Sequence, residues 1–145
     1  MGRIDLKTTE GILRLEYSTR NSQRRNPYQW CKIYYITENA ETYLAARDLD
    51  ILLSKLLIAF MDIQDRKYIS YQGMQNVFTI SSLECCHATL LGNKTESGEL
   101  ELIFEGTYGD LMKLATLTEE DKINWIETIF AQLTRNKEYR DKRIE

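Results

Sequence analysis

The sequence predicts a mainly β fold with added α: seven short strands in an antiparallel, partly open barrel, an apolar helix inserted among them, and a C-terminal amphipathic helix. Three observations predict it. Several stretches alternate apolar and polar residues with period two, the pattern of half-buried strands. One stretch, 49–63, switches to helical spacing. Another opens at Thr118 with a capping residue and three acids, then continues as an amphipathic helix.

In order along the chain, 11–17 alternates, with Leu13, Leu15 and Tyr17 on one face and Ile12, Arg14 and Glu16 on the other. Residues 30–36, Trp-Cys-Lys-Ile-Tyr-Tyr-Ile, are aromatic and β-branched, which suits a strand. The polar loop 18–29 makes these two a hairpin, 37–39 is a turn, and 41–46 is the third strand. In 49–63, eleven of fifteen residues are apolar, and Leu49, Leu52, Leu53, Leu56, Leu57 and Phe60 follow helical spacing. The run is interrupted by Asp50, Lys55 and Asp62. It is too short for a bilayer, which needs about 20 apolar residues. Four further strands are expected at 77–80, 84–91, 100–105 and 111–117, with turns at 81–82, 92–94 and 106–109. The last helix is expected over 119–134, with Ile123, Ile126, Ile129, Phe130 and Leu133 as its buried stripe. The charged tail 135–145 is expected to fray. No internal repeat and no domain boundary stands out, so 1–145 reads as one domain.

Composition narrows the function classes. The chain has 145 residues, 43% hydrophobic and 28% charged, ordinary usage for a single globular domain. A net charge of −3 does not favour nucleic acid as a partner. One histidine excludes a multi-histidine metal centre, and no metal or cofactor is expected. Three cysteines without a Cys-x-x-Cys point to a reducing, cytoplasmic setting. Charge is uneven, with residues 1–35 carrying +4 and the remainder −7. The basic excess centres on Arg20, Arg24 and Arg25 in the loop 18–29, where guanidinium groups can fork onto phosphate.

The order of elements resembles the pleckstrin homology (PH-like) family. The matching segments are Glu10-Gly11-Ile12-Leu13, Trp30-Cys31-Lys32-Ile33-Tyr34-Tyr35-Ile36 and Thr118-Glu119-Glu120-Asp121-Lys122-Ile123-Asn124-Trp125-Ile126, and the likeness covers about 9–134. It implies a Trp125 ring packed on one open end of the barrel. It also implies a non-catalytic targeting or adaptor module, with protein partners and phosphoinositide headgroups at a peripheral membrane surface as ligand classes. Lipid-binding members carry a Lys late in the first strand and an Arg in the second. Those positions here are Leu15 and Ile33, with Arg14 and Lys32 one residue away and so on the opposite face. The helix 49–63 is an addition, lying where the family has a short link between its third and fourth strands.

Two candidate surfaces follow. Arg14, Arg20, Arg24, Arg25 and Lys32 are the candidates for anionic lipid or phosphate. Ile51, Lys55, Ile58 and Asp62 are the candidates for protein contact, because apolar residues in 49–63 extend beyond one buried stripe. The occupant would be another protein or a second copy in a homodimer, unless the polar loop 66–75 folds over the helix. The alternative is a small α+β enzyme using Cys85 and His87, which share a strand face. Asp48 and Asp50 could hold a hard cation, but the helix start they precede explains them without one.

Overall fold

The computed structural model describes residues 2–17, 30–62, 74–83, 88–95 and 99–144; for 62, 74–78, 81–83 and 139–144 it describes the backbone alone. Eight strands and two helices follow one another: β1 (Gly2–Lys7), β2 (Ile12–Tyr17), β3 (Trp30–Ile36), β4 (Glu41–Asp48), α1 (Leu49–Asp62), β5 (Met74–Leu83), β6 (Ala88–Thr95), β7 (Leu100–Glu105), β8 (Leu111–Leu117) and α2 (Glu119–Ile144). The strands form two antiparallel sheets, ordered β1-β2-β3-β4 and β5-β6-β7-β8, with no closed barrel among the described residues.

Seven strands were expected, and the described residues contain eight. The extra one, β1, alternates cleanly, with Ile4 and Leu6 buried and Arg3, Asp5 and Lys7 turned outward. The core therefore begins before residue 9, and α1 follows the fourth strand rather than the third. β6 runs through Gly92-Asn93-Lys94, where a turn was expected, because that segment pairs with both β5 and β7.

The chain also repeats itself in structure: four antiparallel strands, then a helix, twice. No repeat was expected from the sequence. Each fourth strand carries the same irregularity. In β4 the register shifts so that Leu44 is the extra residue, beside buried Ala45. In β8 the extra residue is Leu114, beside buried Ala115. A bulge of this kind bends a strand and strengthens its twist. Both strands then pass directly into a helix.

A single apolar cluster joins both sheets and both helices, from Leu6, Leu13, Leu15 and Ile33 through Leu53, Leu56 and Phe60 to Leu90, Leu102, Trp125 and Ile129. Hydrogen bonds also tie the halves together. Trp125 Nε1 donates to the Lys7 carbonyl at 2.8 Å, and the Thr116 amide donates to Glu10 Oε1 at 3.3 Å. Trp125 is 1% exposed, its ring against Phe60 of α1 and its Nε1 on β1. The tail does not fray as expected: α2 continues to Ile144. Arg135, Lys137, Glu138, Arg140, Lys142 and Arg143 are good helix formers. The side chains of Gln132, Arg135 and Asn136 also bond one another along the helix.

Candidate interaction face

The two helices lie antiparallel. Phe60, near the end of α1, packs edge-to-face on Trp125 at 5.2 Å between ring centroids. Asp50, near the start of α1, accepts a 2.8 Å hydrogen bond from Asn136 Nδ2. A polar chain continues from there: Asn136 Oδ1 accepts from Gln132 Nε2 at 2.9 Å, and the same nitrogen reaches the Tyr17 hydroxyl at 3.3 Å. It fixes how α2 turns about its axis. Trp125, Ile129 and Gln132 then face the core. At 100° per residue, Ile123 and Phe130 stand about 160° and 140° away from Trp125.

This rotation corrects the expected buried stripe. Ile123 and Phe130 are 48% and 63% exposed, whereas Ile126 and Leu133 are half-buried beside the core. On α1, Ile51 is 39%, Ile58 61% and Met61 57% exposed, while Leu49, Leu52, Leu53, Leu56 and Phe60 on the opposite side are buried. Ile58 and Met61 are thus exposed on α1 and Ile123 and Phe130 on α2, while half-buried Leu57 and Ile126 pack against the core. Lys55 is exposed on the same outer side of α1. Asp62 ends the helix, and its side chain lies outside the described residues. The loop 66–75, the alternative to a partner as cover for this face, lies where no side chain is described.

The helix starts differ chemically. Asp48 Oδ1 accepts the Ile51 amide at 3.0 Å and caps α1 from inside the protein, its residue 6% exposed. Asp48 Oδ2 is buried without a hydrogen-bond partner. Burial raises the pKa of this carboxyl, opposed by the bond from the Ile51 amide. α2 opens on a reciprocal capping box: the Asp121 amide donates to Thr118 Oγ1 at 3.0 Å, and the Thr118 amide to Asp121 Oδ2 at 3.1 Å. Buried Lys122 is paired with Glu119.

The other candidates are placed as follows. Arg14 and Lys32 lie on the outer face of the first sheet, opposite Tyr34 and Glu16 across β2 and β3. Arg14 forks onto Asp5, Nε to Oδ1 at 2.9 Å and Nη2 to Oδ2 at 3.3 Å, a pairing that raises its pKa further. Its guanidinium is therefore already engaged by a carboxylate. Leu15 and Ile33, at the family's lipid-binding positions, are core residues. Arg20, Arg24 and Arg25, like Cys85, Cys86 and His87, lie outside the described residues. Burial pushes the Cys31 thiol up to about 12, so it stays protonated and inert as a nucleophile at neutral pH. Asp48 and Asp50 are occupied as a cap and as the Asn136 acceptor, and the described residues contain no acidic, cysteine or histidine cluster able to hold a metal. Among them, no helix is long and apolar enough to cross a membrane.

No known protein family, curated protein or solved structure matches the chain.

Proposed function

We propose that the chain is a non-catalytic protein-interaction module whose docking face is the outer surface of the α1–α2 pair. One observation carries this reading: Ile58 and Met61 on α1 and Ile123 and Phe130 on α2 expose large apolar side chains on two helices that pack together. Single exposed apolar residues are ordinary, whereas several on one pair of helices favour an interaction surface. The pleckstrin-homology likeness enters as an adaptor role, supported by the Trp125 packing at the start of a C-terminal helix. Anionic lipid forms no part of the proposal, because Arg14 is paired with Asp5 and Arg20, Arg24 and Arg25 lie outside the described residues.

Site-specific photocrosslinking in the producing cells tests it. A benzophenone side chain at position 58 or 130 gives a discrete adduct, and one at position 32, on the opposite sheet face, gives none. Absence of an adduct from both helix positions, or equal yield from position 32, contradicts the proposal.

A further inference from the structure

Resting on that interaction face, we infer that its occupant is a basic amphipathic helix of another protein, docked along α2. The first observation is a heptad pattern. Ile123, Ile126, Phe130 and Leu133 follow one another at steps of three, four and three residues, the spacing with which one helix seats another. Trp125, Ile129 and Gln132 already hold the core side of α2, so this stripe lies off that side. Its outer members, Ile123 and Phe130, are exposed, and Ile126 and Leu133 are half-buried beside the core. Ile123 and Phe130 stand two turns apart, about 10 Å along the axis. Anchors at that interval match the apolar residues that an amphipathic helix presents seven positions apart.

The second observation is charge, and it selects the occupant. With Trp125 at zero and 100° per residue, Glu120, Ile123, Glu127, Phe130, Thr134 and Glu138 fall between about 140° and 220°. All six are exposed. Over 119–138 no base falls in that arc, and the nearest is Lys137 at about 120°. Acids in the first turn suit the dipole of their own helix. Glu127 lies beyond that turn, so the dipole does not explain it. It stands on the outer flank of the stripe, seven residues after Glu120, where paired helices carry the charges that choose a partner. Neither Glu120 nor Glu127 takes part in an ion pair among the described residues.

The same acids decide against a second copy of this chain. An antiparallel copy would lay one acidic flank against another, and like charges across an interface oppose it. The complement is a helix with apolar residues on one stripe and Lys or Arg beside it.

Two synthetic peptides test this. Each has about three heptads, with Ile and Leu on the apolar stripe; the flanking positions are Lys in one and Glu in the other. Fluorescence anisotropy of each labelled peptide, titrated with the purified full chain at about 0.15 M salt, should show the basic one bound at least about tenfold more tightly. Glu120→Lys with Glu127→Lys should weaken the basic peptide about tenfold and strengthen the acidic one, with circular dichroism and Tm preserved. Glu127→Lys alone, clear of the first turn, should act in the same direction even if the double change disturbs the helix start. Glu38→Lys with Glu41→Lys makes the same change in net charge on the first sheet and its turn, and should leave binding as it was. No preference for the basic peptide, or an equal loss from the Glu38 and Glu41 pair, overturns the inference. If position 130 still crosslinks in cells when Glu120 and Glu127 are both Lys, the interaction face stands and the basic helix is rejected. If neither helix position crosslinks and the basic peptide does not bind, both proposals fall.

Discussion

Each helix leaves the fourth strand of its sheet by the same device, a Leu–Ala bulge whose leucine stands four residues before an N-cap, yet α1 is capped from inside the protein and α2 from its surface. The difference follows from what each helix buries. α1 sinks a broad apolar side into the shared core, and its cap, Asp48, goes in with it. α2 is held by fewer residues, keeps Thr118 exposed and Asp121 only half-buried, and continues to Ile144. A repeated backbone design thus serves two roles: one helix builds the core, and the other ties the halves together and extends away.

The largest test of that contrast is Trp125→Ala. The ring contacts Phe60 of α1, and its Nε1 bonds the Lys7 carbonyl of β1, so the two helices and the first sheet lose a common anchor. A loss of about 3–5 kcal/mol in urea unfolding is expected. Leu53→Ala, on the buried side of α1, is expected to cost about 2–5 kcal/mol by the same measurement.

The caps come next. Thr118→Ala should cost about 0.5–2 kcal/mol, with little dependence on pH near neutrality. Asp48→Asn keeps an oxygen for the Ile51 amide and removes a buried charge, so at neutral pH it should be at least as stable as the native chain. The pH dependence has a defined sign. The folded-state pKa of Asp48 lies above its unfolded value, so the folded protein binds the more tightly held proton. The native chain should therefore gain stability relative to Asp48→Asn as pH falls through the folded pKa towards the ordinary carboxylate range, and lose it as pH rises. Thermal unfolding of both proteins between neutral and mildly acidic pH checks this, and a difference that stays constant or reverses sign would count against a buried cap.

Much of the fold was legible in the sequence, because strand alternation and helix spacing are local. The bounds expected for 30–36, 100–105 and 111–117 agree with β3, β7 and β8. β1 alternates as plainly as β2 but did not figure among the expected strands. Two features depended on tertiary contacts. The C-terminal extension of α2 is supported by the Asn136–Asp50 bond, between residues far apart in sequence. The rotation of α2 depends on which of several apolar positions the core accepts. Ile123, Ile126, Phe130 and Leu133 recur at i+3 and i+4, Trp125, Ile129 and Leu133 recur at i+4, and spacing alone does not say which stripe the core accepts. Hence the α1 half of the candidate face, Ile51 and Ile58, was legible, and the α2 half was not. The structural repeat was hidden because its clearest sequence trace is the short Leu-Ala pair at 44–45 and 114–115.

The smallest expected effect on stability belongs to Ile58→Asp, and it discriminates best between a helix face that is core and one that receives a partner. Urea unfolding, followed at a concentration where the protein is monomeric, should give a free energy within about 0.5 kcal/mol of the native chain, as for a surface substitution. In the producing cells, the same substitution should abolish the adduct formed from position 130. A destabilisation of about 2 kcal/mol or more, on the scale of a core substitution, would place Ile58 in the core and leave the α1–α2 surface without its role as a docking face.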